Sequence, residues 1–521
     1  MVLAGPVVPP ALHSNLTYWA PPFQVVRRTV HADACVYGGT ASGVIAAVQL
    51  ARLGRKVVVV NPSAHLGGMT TGGLSWTDFG NKAAIGGMAR EFYRRCGAKY
   101  CVEEEWRFEP KVAEQVLTEM VQETGVTVYH REYLKSVRMS AMRLTSLTTE
   151  SGLTVLAPIF IDATYEGDLM AKAKASFTVG RESNSKYGET LNGVQYRHLH
   201  QFELAVSPYL VENDPSSGLL PHIEPRADEL PGTGDRRIQA YNFRLILTQD
   251  PANRIPFPKP AGYDEREYEL TLRYLRAGWK GVFGKFDPIR GNKVDKNNHG
   301  ATSTDYIGAN YRWPTASYPE RERIFQDHVR YVAGWFWFLA NDPRVPDDVR
   351  NRMATWGLCK DEFADTGGWP HQLYVREARR MVSNYVVTEH DCRGTVRAED
   401  SVGLGSYGMD SHNCRRYVRD GRVYNEGDVQ VGGFPPYPIS YRAIVPRRGQ
   451  CRNLLVPVCI SASHIAYGSA RMEPVFMVLG QSAAIAGHMA LERGMAVQDI
   501  PYPELRERLL AAGQILEWKG Q

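Results

Sequence analysis

Long apolar runs are missing from this chain. No stretch approaches the roughly 20 residues that span a bilayer, so no membrane partner is expected. An excess of charge is missing too: 61 basic and 56 acidic residues leave a formal charge of +5. Without a basic stripe, a nucleic-acid partner is not expected either. Cysteine is sparse, eight in 521 residues, which excludes a disulfide scaffold and points to a reduced, cytoplasmic protein. No cysteine or histidine cluster has zinc-ligand spacing, so no metal centre is expected. The opening MVLAGPVVPPALHSNLTYWAPPF lacks a basic segment and breaks its apolar stretches with proline. It is a poor secretion signal and reads as an irregular arm over residues 1–33. Without such a signal the Asn15-Leu16-Thr17 sequon carries little weight. Internal repeats and low-complexity tracts are also absent.

What is present begins at ACVYGGTASGVIAAVQLARLGRKVVVVN, residues 34–61. Ala34 to Tyr37 predicts a short strand and Ala41 to Leu53 a helix of small and apolar residues. Gly54 closes that helix, and Lys56 to Val60 is a β-branched run suited to a buried parallel strand. A strand, a glycine turn and a helix N-terminus in this order present backbone N–H groups to a pyrophosphate. Gly38 and Gly43 fill the roles of the first and third glycines of G-x-G-x-x-G, and Gly39 adds freedom. Thr40 stands in the middle, where its hydroxyl could donate to a phosphate oxygen. Asn61 stands where a ribose-binding acid is usual; its amide can still bond a ribose hydroxyl, without the strength of a charged partner. A second hexad, GLGSYG at 403–408, matches G-x-G-x-x-G in full. No buried strand leads into it and no small-residue helix leaves it, so it is rejected as a nucleotide site.

A chain of this length exceeds one ordinary core, so two or more domains are expected. LAPIFIDATYEGD (156–168) reads as a buried strand and turn; NLLVPVCISASHI and EPVFMVLGQSAAIAGHMALERG read as strand, loop and apolar helix. Between about 176 and 440 the chain is richer in Tyr, Trp, Pro, Asn and Arg, a mixture suited to a substrate-facing domain. The expected plan is α/β: a Rossmann-like domain from residues 34–175 and 441–521, interrupted by a mixed α+β substrate or cap domain over 176–440.

Past the loop come NPSAHLGGMTTGGLSWTDFG (61–80) and GGMAREFY (86–93). With VYGGTASG, FIDATYEGDLM, RESNSKYGETLNG and the segment from Ile439 to Ala484, the chain resembles the FAD-dependent oxidoreductase family from about residue 34 onward. The resemblance implies a glutathione-reductase-like FAD fold, more distantly similar to the fumarate reductase flavoproteins, with FAD as cofactor. Carried over by position, Gly38, Gly39, Thr40, Ala41, Ser42 and Gly43 would hold the pyrophosphate and Asn61 the adenosine ribose. Gly67, Gly68 and Met69 would lie along the cofactor, and Asp162, Ala163 and Thr164 would close the FAD domain. Arg471, Met472 and Glu473, before a helix expected to begin near Gly480, would approach the flavin ring. His65 lies close to the spacing at which related flavoproteins tether FAD covalently. Two departures are Asn61 for an acid, and Val458-Cys459 where many flavoproteins place Gly-Glu or Gly-Asp.

Cys96 and Cys101 have the C-x4-C spacing of disulfide reductases, but they lie nearly thirty residues past the GG turn that such pairs follow. They read as free thiols. A flavin dehydrogenase acting on a small molecule commonly needs a base. His464 in SASHIAYG is the first choice on location, then His412 and His371, with Tyr441 and Arg442 to orient an oxygen-rich substrate. The expected activity is hydride transfer from an alcohol, amine or activated C–C bond to FAD. A flavin monooxygenase, or a protein that binds FAD without turnover, are the alternatives.

Overall fold

The computed structural model of the chain describes residues 11–520. A five-stranded parallel sheet forms from β1 (Ala34–Tyr37), β2 (Val57–Asn61), β3 (Thr127–His130), β4 (Ile159–Asp162) and β5 (Leu454–Leu455), in the order β5-β4-β1-β2-β3. The two chain ends thus meet in one sheet. β1, β2 and β4 are buried along their whole length, as their near-continuous apolar runs require of a parallel sheet. Register places Tyr37 opposite Asp162 and Asn61 opposite His130, which lines up the carboxyl ends of these strands. Ligands bind outside such ends, where the strand order reverses.

Helix α1 (Ala41–Arg52) covers the sheet together with α2 (Pro110–Thr124) and the long C-terminal helix. That last helix, α5, runs Glu473–Arg493 and starts seven residues before Gly480, correcting the expected start. Proline in the first turn and an acid at its head explain the earlier start. Contrary to the expectation that no segment is long and apolar enough to cross a bilayer, α5 is, but 94% of its apolar window is buried. It is a core helix, crossing α1 so closely that a Cβ at Gly480 would lie 2.4 Å from the Ser42 carbonyl oxygen.

The interrupting region carries an antiparallel five-stranded sheet from Leu245–Thr248, Arg254–Ile255, Phe286–Ile289, Lys293–Lys296 and Gly357–Cys359, with helix α3 (Tyr318–Asn341) beside it and α4 (Asp347–Met353) packed on α3. Lys293 pins this region to the N-terminus of α2. Its ammonium lies 2.6, 2.7 and 2.6 Å from Glu109, Asp361 and Glu362, so the charge of these clustered carboxylates is met by lysine. Arg28–His31, at the end of the expected irregular arm, is a strand paired in parallel with Leu153–Leu156. Contrary to expectation, a buried strand, Ser401–Gly405, leads into GLGSYG and pairs antiparallel with Tyr437–Ser440; as expected, no helix follows it. All eight cysteines are free thiols, Cys96 buried near the end of its helix and Cys101 exposed beyond it.

Candidate cofactor and substrate site

A cleft opens at the carboxyl ends of β1, β2 and β4. Gly38, Gly39 and Thr40 form its floor, at the N-terminus of α1. Gly38 has φ +101°, a conformation other residues adopt only under strain, and a Cβ there would lie 2.9 Å from the Thr164 nitrogen. A Cβ on Gly43 would lie 2.0 Å from the Gly38 carbonyl oxygen. The turn therefore has no room for side chains at these positions, as close backbone approach to a ligand requires.

Thr40 does not offer its hydroxyl to the cleft. It donates to the Ala163 carbonyl at 2.7 Å and accepts the Gly43 N–H at 3.2 Å, acting as the N-cap of α1. Asn61 is equally committed: its Oδ1 accepts from the Gly39 N–H at 3.0 Å and its Nδ2 donates to the His65 carbonyl at 2.8 Å. A carboxylate could accept the first of these bonds but could not donate the second, which gives Asn61 a structural reason to be an amide. Asp162 closes the turn after β4, accepting from Thr164 N–H and hydroxyl and from Met170 N–H.

His65, Gly68 and Thr164 line the cleft as well. Both ring nitrogens of His65 are engaged, with Glu114 and Asp365 at 3.0 Å each, so neither is free to form a tether to FAD. Burial opposes its charge, but Glu114 and Asp365 outweigh that and raise its pKa. His371 stacks on it, ring centroids 3.9 Å apart. Burial, then the neighbouring His65, push the His371 pKa well down, which leaves it neutral with an unpartnered Nε2.

At the inner end, Glu473 at the head of α5 accepts from Thr70 at 2.6 Å and from Tyr165 at 2.9 Å. The Tyr165 hydroxyl in turn accepts the Met69 N–H at 2.9 Å. This network ties the Gly67–Met69 segment to α5, with Met472 as the helix N-cap. Burial raises the Glu473 carboxyl to about 7, against the two hydrogen bonds. Glu166, which also lines the cleft, is raised to about 7 by burial, Arg321 opposing.

Several walls of the cleft had no motif to mark them. Arg131 and Tyr133 follow β3, and Gln372 and Leu373 come from the interrupting region. Asn15, Leu16, Thr17 and Tyr18 come from the arm. The arm is pinned from both sides: Gln326 donates to Leu16, the Tyr18 and Trp19 N–H groups donate to Glu322, and Tyr133 donates to Tyr18. Proline-broken sequence concealed this because its order comes from partners more than a hundred residues away.

His371 lines the cleft, and the other proposed catalytic side chains separate into three groups. His412 sits on Asp305, Nδ1 to Oδ2 2.9 Å, with its Nε2 3.7 Å from Asp410. His464 has both ring nitrogens occupied, by Glu377 at 2.7 Å and Ser411 at 3.0 Å. Tyr441 donates to the Val497 carbonyl and Arg442 pairs with Asp400 at an exposed position; neither lines the cleft.

A parallel sheet with a glycine turn and a capped helix opening on a cleft defines a dinucleotide-binding fold. The model of the FAD-dependent oxidoreductase family matches residues 33–509, and the chain belongs to that family, with FAD as its cofactor. No curated protein matches the chain in sequence. Solved structures similar to parts of it include the THI4 protein of Thermovibrio ammonificans, at 20% identity over 29% of this chain and 66% of that one, TM-score 0.23. L-amino acid deaminase from Proteus vulgaris is similar at 14% identity over 36% and 56%, TM-score 0.25. L-proline dehydrogenase from P. horikoshii is similar at 14% over 30% and 59%, TM-score 0.25. The chain thus spans about two thirds or less of each.

Proposed function

We propose that the protein is a dehydrogenase or oxidase taking hydride from a small polar organic substrate, an alcohol, an amine or an activated C–C bond. FAD supplies the two-electron acceptor. In this reading the backbone of Gly38, Gly39 and Thr40 at the head of α1 faces the pyrophosphate. Asn61 and Arg131 flank the adenosine end, while Tyr165 and Glu473 border the inner end.

The observation that carries the reading is the Asp305–His412 pair, which adjoins Asp410 and through it Arg471, two residues before Glu473. Removing hydride from an alcohol or amine also releases a proton, which needs an acceptor. Burial works against the Asp305 carboxylate, but Arg376 and His412 outweigh it and hold its pKa below the ordinary value. An ionised Asp305 accepts from Nδ1–H, which leaves Nε2 turned towards Asp410 at 3.7 Å without a hydrogen bond. His412 thereby displaces His464 as first choice, because both His464 nitrogens are already bonded.

His412→Gln should retain FAD yet slow anaerobic bleaching of the flavin by substrate by about 100-fold or more. Unchanged bleaching removes His412 from the mechanism. NAD(P)H consumption with no bleaching by any C–H donor overturns the dehydrogenase reading in favour of a monooxygenase.

A further inference from the structure

Just past the inner wall of the cleft, three buried arginines converge on one tyrosine. Gln372 and Leu373 line the cleft. Tyr374 follows, and the guanidinium carbons of Arg244, Arg376 and Arg471 lie 5.9, 4.6 and 5.9 Å from its ring centroid. A Cβ on Gly73 would meet the Arg244 carbonyl oxygen at 2.1 Å, and Arg471 directly precedes the N-cap of α5. The cluster therefore adjoins the cofactor segments on two sides.

These arginines are only partly satisfied from within the protein. Asp295 grips Arg244 side-on, Nε and Nη2 each 2.7 Å from a carboxylate oxygen. Asp295 is itself fixed by the N–H groups of Ser75 and Trp76. The third nitrogen, Arg244 Nη1, is buried with no acceptor. Arg471 donates Nη1 to the Tyr374 hydroxyl at 3.1 Å and Nη2 to the Asp410 carbonyl at 3.2 Å, and its Nε is left buried without a partner. Arg244 and Arg471 are 2% and 3% exposed, where an unmet donor is costly. Beside them lies Asp78, whose carboxyl is raised by burial, lowered by Arg244 and Arg471 and raised again by Asp410. Asp78, Tyr407 and Asp410 are half-buried and give the cluster an edge facing solvent.

We propose that this cluster anchors the substrate through a carboxylate, received by Arg244 Nη1 and Arg471 Nε. The inference rests on the dehydrogenase reading and names the substrate class as small monocarboxylic acids. Arg244, locked by Asp295, presents its donor already oriented, which suits charge-assisted binding of a planar anion. Asp78 and Asp410 set the limit on the rest of the molecule. A second acid group would meet two carboxylates, whereas a hydroxyl or ammonium finds acceptors there, within reach of His412.

The test uses FAD-loaded protein, with FAD content measured first. Lactate, alanine, propionamide and succinate are titrated while the visible flavin spectrum is followed. The two monoacids should perturb or bleach the spectrum saturably, and propionamide and succinate should be at least roughly 10-fold weaker. Arg244→Lys keeps a cation for Asp295 but loses the outer donor, and should weaken the monoacids roughly 10- to 100-fold with FAD content unchanged. Arg471→Gln should weaken the monoacids likewise when the comparison is made per bound FAD. Propionamide matching the monoacids, succinate binding more tightly, or no response to either monoacid overturns the proposal while the dehydrogenase reading stands. Protein that takes up no FAD overturns that reading and this inference with it.

Discussion

GGTASG at 38–43 and GLGSYG at 403–408 carry similar glycine spacing and do different things. In the first, a strand ends at Tyr37, a Thr40-capped helix begins at Ala41, and Gly43 packs against the carbonyl of Gly38. In the second, the glycines run through a strand and out into a loop; the nearest atom to a Cβ on Gly408 would be 3.2 Å away. Glycine spacing alone says only that the backbone is unencumbered. A ligand site also needs a helix N-terminus aimed at the freed space and a sheet edge behind it.

The difference is testable, and the largest effect falls on the first hexad. Gly43→Val should abolish FAD uptake and destabilise the fold, because its side chain would occupy the position of the Gly38 carbonyl oxygen. Uptake equal to wild type would remove the glycine turn from the account. Deleting residues 1–19 takes away the arm that walls the same cleft, and FAD should leave about 10-fold faster. An unchanged release rate would make the arm mere packing.

A smaller effect comes from the inner end of the cleft. The Glu473 carboxyl sits at about 7 in the folded protein, against an ordinary value of 4.5. Between those values the folded chain holds a proton that the unfolded chain has lost, so stability present below about pH 4.5 falls as pH rises towards 7. At about 1.4 kcal/mol per pKa unit, this loss is on the order of 3 kcal/mol. Melting temperatures of the apoprotein across that window should decline, and Glu473→Gln should remove part of the decline. Identical slopes would show that Glu473 is ionised throughout. The smallest effect belongs to the second hexad: Gly408→Ala should change FAD affinity not at all and stability by no more than about 0.5 kcal/mol. Loss of FAD there would reinstate GLGSYG.

The contrast also explains what could be read from the chain. The βαβ unit was legible because its signals are local: four valines in β2, small residues in α1, glycines at the turn. Its assigned side-chain roles were less legible. Thr40 and Asn61 face the cleft yet hold the loop together, and a linear motif does not distinguish binding a ligand from bonding the backbone beside it. The cluster proposed to anchor the substrate has no linear signal except at Arg471 and His412. Arg244, Asp295 and Tyr374 lie in separate segments with no shared spacing, brought together by an antiparallel sheet whose pairing the sequence does not display. Sequence position favours His464, between the last strand and the long apolar helix, and only the structure reveals Glu377 and Ser411 on its two nitrogens.

The most direct measurement of the central claim is the visible spectrum of the purified protein, with bound flavin counted per chain after added FAD is removed. The account predicts a yellow protein carrying one FAD per chain, and a colourless Gly43→Val variant beside it. A wild-type protein that stays colourless, or one whose FAD content is unaffected by valine at 43, would contradict it.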